Sequence, residues 1–260
     1  MKYDIFQVDT FSKNIFGGNP AAVVPLKEWL PKKVMQSIAN ENNLSETAFF
    51  VPNGKEFEIR WFTPIVEIPL CGHATLASAF VIFNHPGYSQ SEINFISQSG
   101  KLSVKREKKI LYLNFPRNNP TLVEPDELLN NVFGKRVSEL YKFENDYLAI
   151  FKKQSEIESL KPNFNKLSQL KQRAIIVSTK GKSVDFVSRF FAPKLGIDED
   201  PVTGYAQTIL IPFWSKRLNK KALLANQLSK RGGQIFCKDL GNRVEIGGYA
   251  KTYLIGKINL

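Results

Sequence analysis

Two long stretches of this sequence contain no charged residue, although charged residues make up 23% of the chain. They are residues 68–91 and 201–215. Each begins with a turn of small residues and continues as an apolar run long enough for about three helical turns or more. A helix that is apolar on every side is typically buried all round rather than laid on a surface. The sequence therefore predicts two fully buried helices.

The two stretches also match each other. Each follows a strand that ends in an aromatic-x-Pro step, at residues 62–64 and 191–193. Aligned on Gly72 and Gly204, they read Cys-Gly-His-Ala and Thr-Gly-Tyr-Ala before running on apolar. We predict an α+β fold of two pseudo-symmetric domains, each of which wraps a sheet around its own helix.

The predicted domains are residues 1–117 and 118–260, because the polar residues 117–119 precede Pro120 and follow an alternating strand. The last strand, about 251–260, is a candidate to pack on the first domain. Helices on the outside of the domains are predicted after Pro31, near 125–132 and over 155–170. Short runs of β-branched and aromatic residues predict strands at 3–10, 21–24, 47–51, 57–62, 93–97, 102–105, 110–115, 147–151, 174–178, 185–191, 234–237, 244–246 and 253–258.

The net charge of +12 comes from the second part of the chain. Residues 1–150 hold 16 Lys+Arg and 16 Asp+Glu, whereas residues 151–260 hold 20 and 8. The basic residues are scattered as pairs, and no arginine-rich run or aromatic RNA-binding signature accompanies them. Solvated lysines explain this pattern, so we expect no nucleic-acid partner.

Cysteine and histidine are scarce. The two cysteines, Cys71 and Cys237, are too few and too far apart for a disulfide framework. With only His73 and His85 beside them, the sequence predicts no metal-ligand cluster and no metal cofactor.

No segment favours a membrane or secretory protein. The first six residues favour a strand and lack the apolar core of a signal peptide. The charge-free run 68–91 contains two prolines and two histidines, which makes it a poor bilayer span. We therefore expect a soluble cytoplasmic protein with no membrane partner.

The predicted buried helices suggest a chemistry. If both begin at the inner ends of their barrels, their first turns face each other across the cleft between the domains. Backbone N–H groups of Gly72 and Ala74, and of Gly204 and Tyr205, then point into one pocket. Such a pocket binds a small carboxylate substrate and stabilises an enolate-like anion, which favours removal of a proton beside the carboxylate.

Several motifs resemble one family, the phenazine-biosynthesis isomerase-like (PhzF-like) proteins, and together they span the chain. The resemblance implies a fold similar to that of diaminopimelate epimerase, with the active site between two domains. The matching segments are residues 18–24 (GNPAAVV), 43–49 (NLSETAF), 61–75, which end in LCGHAT, 199–204 (EDPVTG) and 231–233 (RGG).

The resemblance also implies roles for individual residues. Glu46 would be the catalytic acid/base, while His73 and Asp200 would line the site and bind or polarise the substrate. Asn19, in the first motif, joins the implied substrate-binding residues. The implied reaction is a cofactor-free hydrogen shift or stereoinversion on a small amino or hydroxy acid, in a homodimer. Desolvation in a closed cleft makes a carboxylate a better base for such a reaction.

Each of these residues also has a structural explanation. Glu46 could be a solvated turn residue before a strand, His73 a core histidine, and Asp200 a helix cap. A catalytically silent binding or regulatory protein that uses its basic second half is therefore an alternative.

A thiol mechanism is a further alternative, because epimerases of the related fold use two facing cysteines. Here the repeat places Thr203 opposite Cys71, which argues against a pair of thiols. The chain also departs from the family, since many members have Gly-Ser-Ala-His where this sequence has Gly204-Tyr205-Ala206-Gln207. We expect this change to preserve anion binding and to alter substrate selectivity.

Overall fold

The computed structural model describes residues 1–260, which fall into two compact units. Unit 1 comprises Met1–Phe115 and Ile246–Leu260, and unit 2 comprises Pro116–Glu245. The domain boundaries predicted from the sequence stay a prediction, because contacts within the chain do not show which segments fold independently. None of the helices combines the length and the hydropathy that a bilayer crossing requires.

The chain forms short strands and six α-helices, with one 3₁₀ turn at Pro193–Leu195. The helices are α1 Lys32–Asn42, α2 Gly72–Phe83, α3 Glu127–Phe133, α4 Gln154–Glu158, α5 Phe164–Gln169 and α6 Gly204–Leu218. The strands are β1 Lys2–Thr10, β2 Asn19–Pro25, β3 Glu46–Asn53, β4 Glu56–Phe62, β5 Glu67–Ile68, β6 Glu92–Ser97, β7 Gly100–Glu107, β8 Ile110–Pro116, β9 Thr121–Val123, β10 Glu139–Phe143, β11 Asp146–Ile150, β12 Ala174–Lys180, β13 Phe186–Ala192, β14 Ile197–Glu199, β15 Ala222–Gln227, β16 Gly233–Asp239, β17 Arg243–Gly248 and β18 Ala250–Asn259.

In unit 1, the sheet runs in the order β18-β1-β2-β3-β4-β6-β7-β8. The pairs β2–β3 and β4–β6 are parallel and the others are antiparallel. Helix α1 connects the first parallel pair and packs Met35, Ile38 and Ala39 into a core cluster, as its apolar stripe predicts. Helix α2 connects the second pair and contacts β1, β2, β3, β7 and β18.

In unit 2, the order β9-β10-β11-β12-β13-β15-β16 repeats this pattern. Here β11–β12 and β13–β15 are the parallel pairs, and α6 connects the second. The predicted internal repeat is therefore present in the topology. Both charge-free stretches form the predicted helices, and ten of the 12 residues of α2 and ten of the 15 residues of α6 are buried.

Helix α6 contains Pro212, whose missing N–H leaves the carbonyl of Thr208 without its helical partner. The backbone N–H of Asn118 donates to that carbonyl at 3.0 Å, and the Asn118 side chain donates to the Thr208 hydroxyl at 2.9 Å. Arg117 donates to the Gly241 carbonyl at 3.0 Å. The segment predicted as a linker is thus held by hydrogen bonds within unit 2.

Two details differ from the sequence expectations. The helix predicted over 155–170 is wrong, because Pro162 divides it into α4 and α5. The Asn163 side chain then caps α5 by accepting a hydrogen bond from the Lys166 N–H. The sequence does not predict five of the strands: β5, β9, β10, β14 and β15. Three of these have only two or three residues, and β10 and β15 mix polar and apolar residues without a clear alternation.

Candidate active site

The first turn of α2 carries backbone N–H groups that no intrahelical hydrogen bond uses. Its first intrahelical hydrogen bond runs from the Thr75 N–H to the Cys71 carbonyl at 3.1 Å, so the N–H groups of Gly72, His73 and Ala74 precede it. Cys71 occupies the N-cap position and makes no side-chain cap bond. A serine or aspartate there would normally satisfy one of these donors. The helix end therefore keeps donors for an anion.

A carboxylate and an imidazole meet at this helix end. Glu46 is the first residue of β3, and the parallel register sets it opposite Ala21 of β2. Its Oε2 atom lies 3.1 Å from Nε2 of His73, and only 7% of Glu46 and 6% of His73 are exposed. Neither atom makes a well-aligned hydrogen bond. Loose geometry of this kind is common for catalytic groups before the substrate arrives.

The charges around His73 favour an imidazolium. Burial lowers the pKa of His73, whereas a negative charge on Cys71 and the Glu46 carboxylate raise it, and the net result is a pKa well above the usual value. When the Cys71 thiol is protonated, the Glu46 carboxylate is the charge that favours the imidazolium. Burial, followed by the nearby Glu46 charge, raises the pKa of the Cys71 thiol. At neutral pH the thiol is therefore protonated and is a poor base.

Asn19 completes this group, which we call the α2 cluster: Asn19, Glu46, Cys71 and His73. The Asn19 amide nitrogen lies 3.3 Å from Nδ1 of His73, and the Cys71 sulfur lies 3.5 Å from the same ring nitrogen. Gly18 lets the chain enter β2 at this place. It has a φ of +66°, and a Cβ would lie 1.8 Å from the Thr10 carbonyl oxygen, so only glycine fits.

The α2 cluster also contains potential metal ligands. One donor atom each from Glu46, Cys71 and His73 lies within 4.8 Å of the others. The sequence expectation of no such cluster counted cysteines and histidines and left out a carboxylate brought in by a strand.

Asp200 and Thr203 are tied together where α6 begins. The Thr203 hydroxyl donates to the Asp200 carboxylate and so makes no cap bond with the helix. The buried Gln227 amide holds both residues: it accepts from the Thr203 N–H at 2.9 Å and donates to the Asp200 carbonyl at 2.7 Å. The Asp200 carboxylate is thus bonded to Thr203, the residue that directly precedes α6. Gly204 is buried in the first turn of this helix.

Tyr205 occupies the position in α6 that His73 occupies in α2. The Arg173 guanidinium lies over its ring, 5.1 Å from the centroid. Arg173 also binds Asp146 through two nitrogens, with Nε at 3.1 Å, and the Ala174 N–H donates to the same carboxylate at 3.1 Å. Burial, together with the Asp146 carboxylate, raises the pKa of Tyr205, so the phenol stays protonated. We call Asp146, Arg173 and Tyr205 the α6 cluster.

Gln207 follows in the second turn of α6 and is fully buried, with no hydrogen-bond partner on either amide atom. Its counterpart in α2 is Thr75, whose hydroxyl donates to the Cys71 carbonyl at 2.5 Å. An unsatisfied buried amide costs stability, which makes Gln207 an exception among the buried polar residues.

The structure brings three predicted residues together, namely Asn19, Glu46 and His73, with Gly72 and Ala74 in the adjacent helix turn. The other predicted residues, Asp200, Gly204 and Tyr205, belong to unit 2 and group around the start of α6. Sequence reasoning missed three residues of unit 2: Asp146, Arg173 and Gln227. The available signal was positional, since Asp146 begins β11 as Asn19 begins β2.

Comparison with known proteins identifies relatives over the whole chain. The model of the phenazine biosynthesis-like protein family (PhzC-PhzF) matches residues 8–256. A Pseudomonas aeruginosa protein described as an uncharacterized isomerase is 45% identical over 260 residues, with 100% of both sequences covered. The crystal structure of a PhzF-family phenazine biosynthesis protein from Enterococcus faecalis is similar with a TM-score of 0.98 and 46% identity, over 100% of both chains.

A more distant structure shows the fold alone. The hydroxyproline epimerase from Agrobacterium vitis, solved with trans-4-hydroxy-L-proline, has a TM-score of 0.62 and 9% identity, over 99% of this chain and 92% of that one. The predicted epimerase-like α+β fold is confirmed.

Proposed function

This chain belongs to the phenazine biosynthesis-like protein family, and from that premise we propose that it is a cofactor-independent isomerase. Its substrate is a small amino or hydroxy carboxylic acid, on which Glu46 moves one proton. The relative from Pseudomonas aeruginosa that is described as an isomerase supports the reaction class. The observation that carries the proposal is the buried Glu46 carboxylate, 3.1 Å from His73 in the first turn of α2.

In this reaction Glu46 acts twice, first as a base and then as an acid. The Glu46 carboxylate takes a proton from a carbon beside the substrate's carboxylate or its conjugated system. The electron pair delocalises into that system, and the N–H groups of Gly72, His73 and Ala74 stabilise the resulting anion. The protonated Glu46 then returns the same proton at another carbon. No atom or electron is gained or lost, so the enzyme is ready for the next substrate.

The positive charge of the His73 imidazolium stabilises the Glu46 carboxylate. An imidazolium beside Glu46 stabilises the anionic form before proton removal and contributes a positive charge near the substrate anion. The amide of Asn19, 3.3 Å from the ring, holds its orientation. Asp200, Gly204 and Tyr205 stay proposed substrate-binding residues, with Asp200 suited to a substrate ammonium or hydroxyl.

A thiol mechanism has less support. The raised pKa of Cys71 leaves it protonated at neutral pH. Cys237 is buried in β16, its thiol donates to the Ile235 carbonyl at 3.7 Å, and burial raises its pKa as well. A single carboxylate is therefore the better proton carrier.

Deuterium incorporation tests the proposal. A panel of small amino and hydroxy acids is incubated with the protein in D₂O and followed by proton NMR. Glu67→Gln is a matched control, because Glu67 is a buried acid of the same unit that is bound by Arg60. We expect exchange with the wild type and this control, and a rate lower by about 10²- to 10⁴-fold for Glu46→Gln. Equal rates for Glu46→Gln and the wild type would contradict the proposal, and no exchange with any acid would favour a binding protein.

A further inference from the structure

Three side chains of the α2 cluster carry the donor atoms that zinc uses in proteins: a thiol, an imidazole and a carboxylate. We propose that Cys71, His73 and Glu46 bind a Zn²⁺ ion, and that zinc is a reversible inhibitor of this enzyme. The binding site stands on geometry alone, whereas the inhibition rests on the proposed function. All three residues are buried, with 6–7% of each exposed.

The distances suit a tetrahedral ion. With Zn–S of about 2.3 Å and Zn–N of about 2.0 Å, tetrahedral geometry separates the sulfur from the nitrogen by about 3.5 Å. The Cys71 sulfur and Nδ1 of His73 are 3.5 Å apart. One donor atom from each of the three residues lies within 4.8 Å of the others. Oε2 of Glu46 now contacts the other ring nitrogen, Nε2, so its side chain has to turn towards the Nδ1 side of the ring to complete the set. Two of the three ligands therefore already have the spacing that zinc requires.

The donor types select the metal. A set of one sulfur, one nitrogen and one oxygen suits Zn²⁺, whereas Mg²⁺ and Ca²⁺ prefer oxygen ligands alone. Three protein ligands leave the fourth position for water or for a substrate oxygen. On binding, the Cys71 thiol and the His73 imidazolium each release a proton to the solvent, so that a thiolate and a neutral imidazole are the ligands. Zinc at Nδ1 of His73 replaces the contact of that nitrogen with the Asn19 amide.

Inhibition follows from shared residues. A carboxylate that coordinates zinc has its electron pair engaged and cannot remove a proton. The ion also replaces the electrostatic interaction between the Glu46 carboxylate and the His73 imidazolium, on which the proposed proton transfer depends. Zinc therefore stops turnover while it is bound, and a chelator restores it.

Titration with Co²⁺, a spectroscopic substitute for zinc, tests the site without any substrate. The chain has two cysteines, so Cys237→Ala is a matched control for Cys71→Ala. We expect the thiolate-to-cobalt charge-transfer absorption in the wild type and in Cys237→Ala, and its displacement by Zn²⁺. For Cys71→Ala, we expect no such band and an affinity for zinc lower by about 100-fold or more. Thermal unfolding verifies that each variant is folded, and Glu46→Gln, which keeps the thiol, should bind zinc more weakly than the wild type.

Absence of the band in the folded wild type would overturn the site, and so would a band that persists in Cys71→Ala. Inhibition is then measured as the ratio of exchange rates with and without Zn²⁺, with Mg²⁺ as the control ion. We expect zinc to inhibit the wild type and Cys237→Ala, and Cys71→Ala to resist it. If cobalt binds but zinc leaves exchange unchanged, inhibition is refuted. If no acid exchanges at all, the proposed function fails while the cobalt titration still decides the metal site.

Discussion

The two buried helices begin with similar sequences, but the buried acid beside each helix has different partners: Glu46 beside α2 and Asp146 beside α6. In the α2 cluster, Glu46 lies beside His73 without a well-aligned hydrogen bond and without an arginine. In the α6 cluster, Asp146 receives two nitrogens of Arg173 and a backbone N–H. The same architecture thus supports one buried acid with a single loose contact to an imidazole and another whose oxygens are bound by an arginine and a backbone N–H.

The register of the parallel pairs explains this difference. Glu46 stands on the second strand of its pair, opposite Ala21, whereas Asp146 stands on the first strand, opposite Ala174. In unit 2 the residue before the second strand is Arg173, which reaches Asp146. In unit 1 the corresponding residue is Ser45, which is too short to hold a carboxylate in this way. Arg173 therefore makes Asp146 part of a salt bridge, which Ser45 cannot provide for Glu46.

The largest expected effect is on the exchange rate, and it distinguishes His73 from Tyr205, the residues at equivalent positions of α2 and α6. His73→Gln should lower the rate of proton exchange by about 100-fold, because it removes the charge beside Glu46. Tyr205→Phe should retain most of the rate, since it removes only a hydroxyl beside an ion pair that is already complete. Exchange kinetics on the same substrate measure both variants. A loss for Tyr205→Phe as large as that for His73→Gln would show that the α6 cluster takes part in the chemistry.

The next effect concerns stability. Arg173→Met leaves the Asp146 carboxylate buried without its cation, while Asp146 itself is only 1% exposed. Loss of one partner of a fully buried pair costs about 3–5 kcal/mol, and the Arg173 side chain is 44% exposed, so we expect a loss of about 2 kcal/mol. Urea unfolding measures this change. A variant as stable as the wild type would show that the ion pair between Asp146 and Arg173 does not stabilise the fold.

A second arginine-bound acid gives a pH-dependent version of the same comparison. The hydrogen bond from Arg60 lowers the pKa of Glu67 to about 2; burial opposes this effect, and Lys32 adds a further bond. A carboxyl with a lowered folded-state pKa stabilises the protein above its unfolded value of 4.5, and this contribution is lost as the pH falls towards 2.

The measurement is the unfolding free energy of the wild type and of Glu67→Gln at several pH values. We expect their difference to be constant above about pH 5 and to shrink between about pH 5 and pH 2. A difference that does not depend on pH would mean that Arg60 does not hold the Glu67 carboxylate.

The smallest effect compares the second turns of the two helices. Gln207→Met replaces an unsatisfied buried amide by an apolar side chain of similar size and should be neutral or stabilising by about 1 kcal/mol. Thr75→Val removes a hydroxyl that has a partner and should destabilise the protein by about 1 kcal/mol. Thermal unfolding of the two variants provides the test. A clear loss of stability for Gln207→Met would reveal a partner for that amide.

Much of the fold followed from the sequence because charge and periodicity are local signals. The charge-free runs predicted α2 and α6, and the apolar stripe predicted α1. The helix over 155–170 failed because its amphipathic pattern continues across Pro162, and a proline overrides a hydrophobic pattern. Strand β15 is stabilised by its pairing with β13 and β16, and the composition of the segment does not show this pairing.

The site was predictable where a motif carried it. Glu46 and His73 belong to contiguous family-like segments, and the structure brings them together. The ion pair between Asp146 and Arg173 depends on the register of β11 and β12, which are separated in the sequence by α4 and α5. No local sequence pattern predicts it. The metal-ligand set was missed for the same reason, because Glu46 reaches Cys71 and His73 only through the β2–β3 register.

The isotope content of the product tests the single-carboxylate claim most directly. A substrate found in the exchange panel is deuterated at the carbon that loses its proton and is converted in H₂O under single-turnover conditions. If Glu46 alone carries the proton, part of the deuterium should appear at the accepting carbon of the product. Complete loss of the label in the wild type, with turnover abolished equally by Cys71→Ala and Glu46→Gln, would contradict the account and favour two separate acid/base groups.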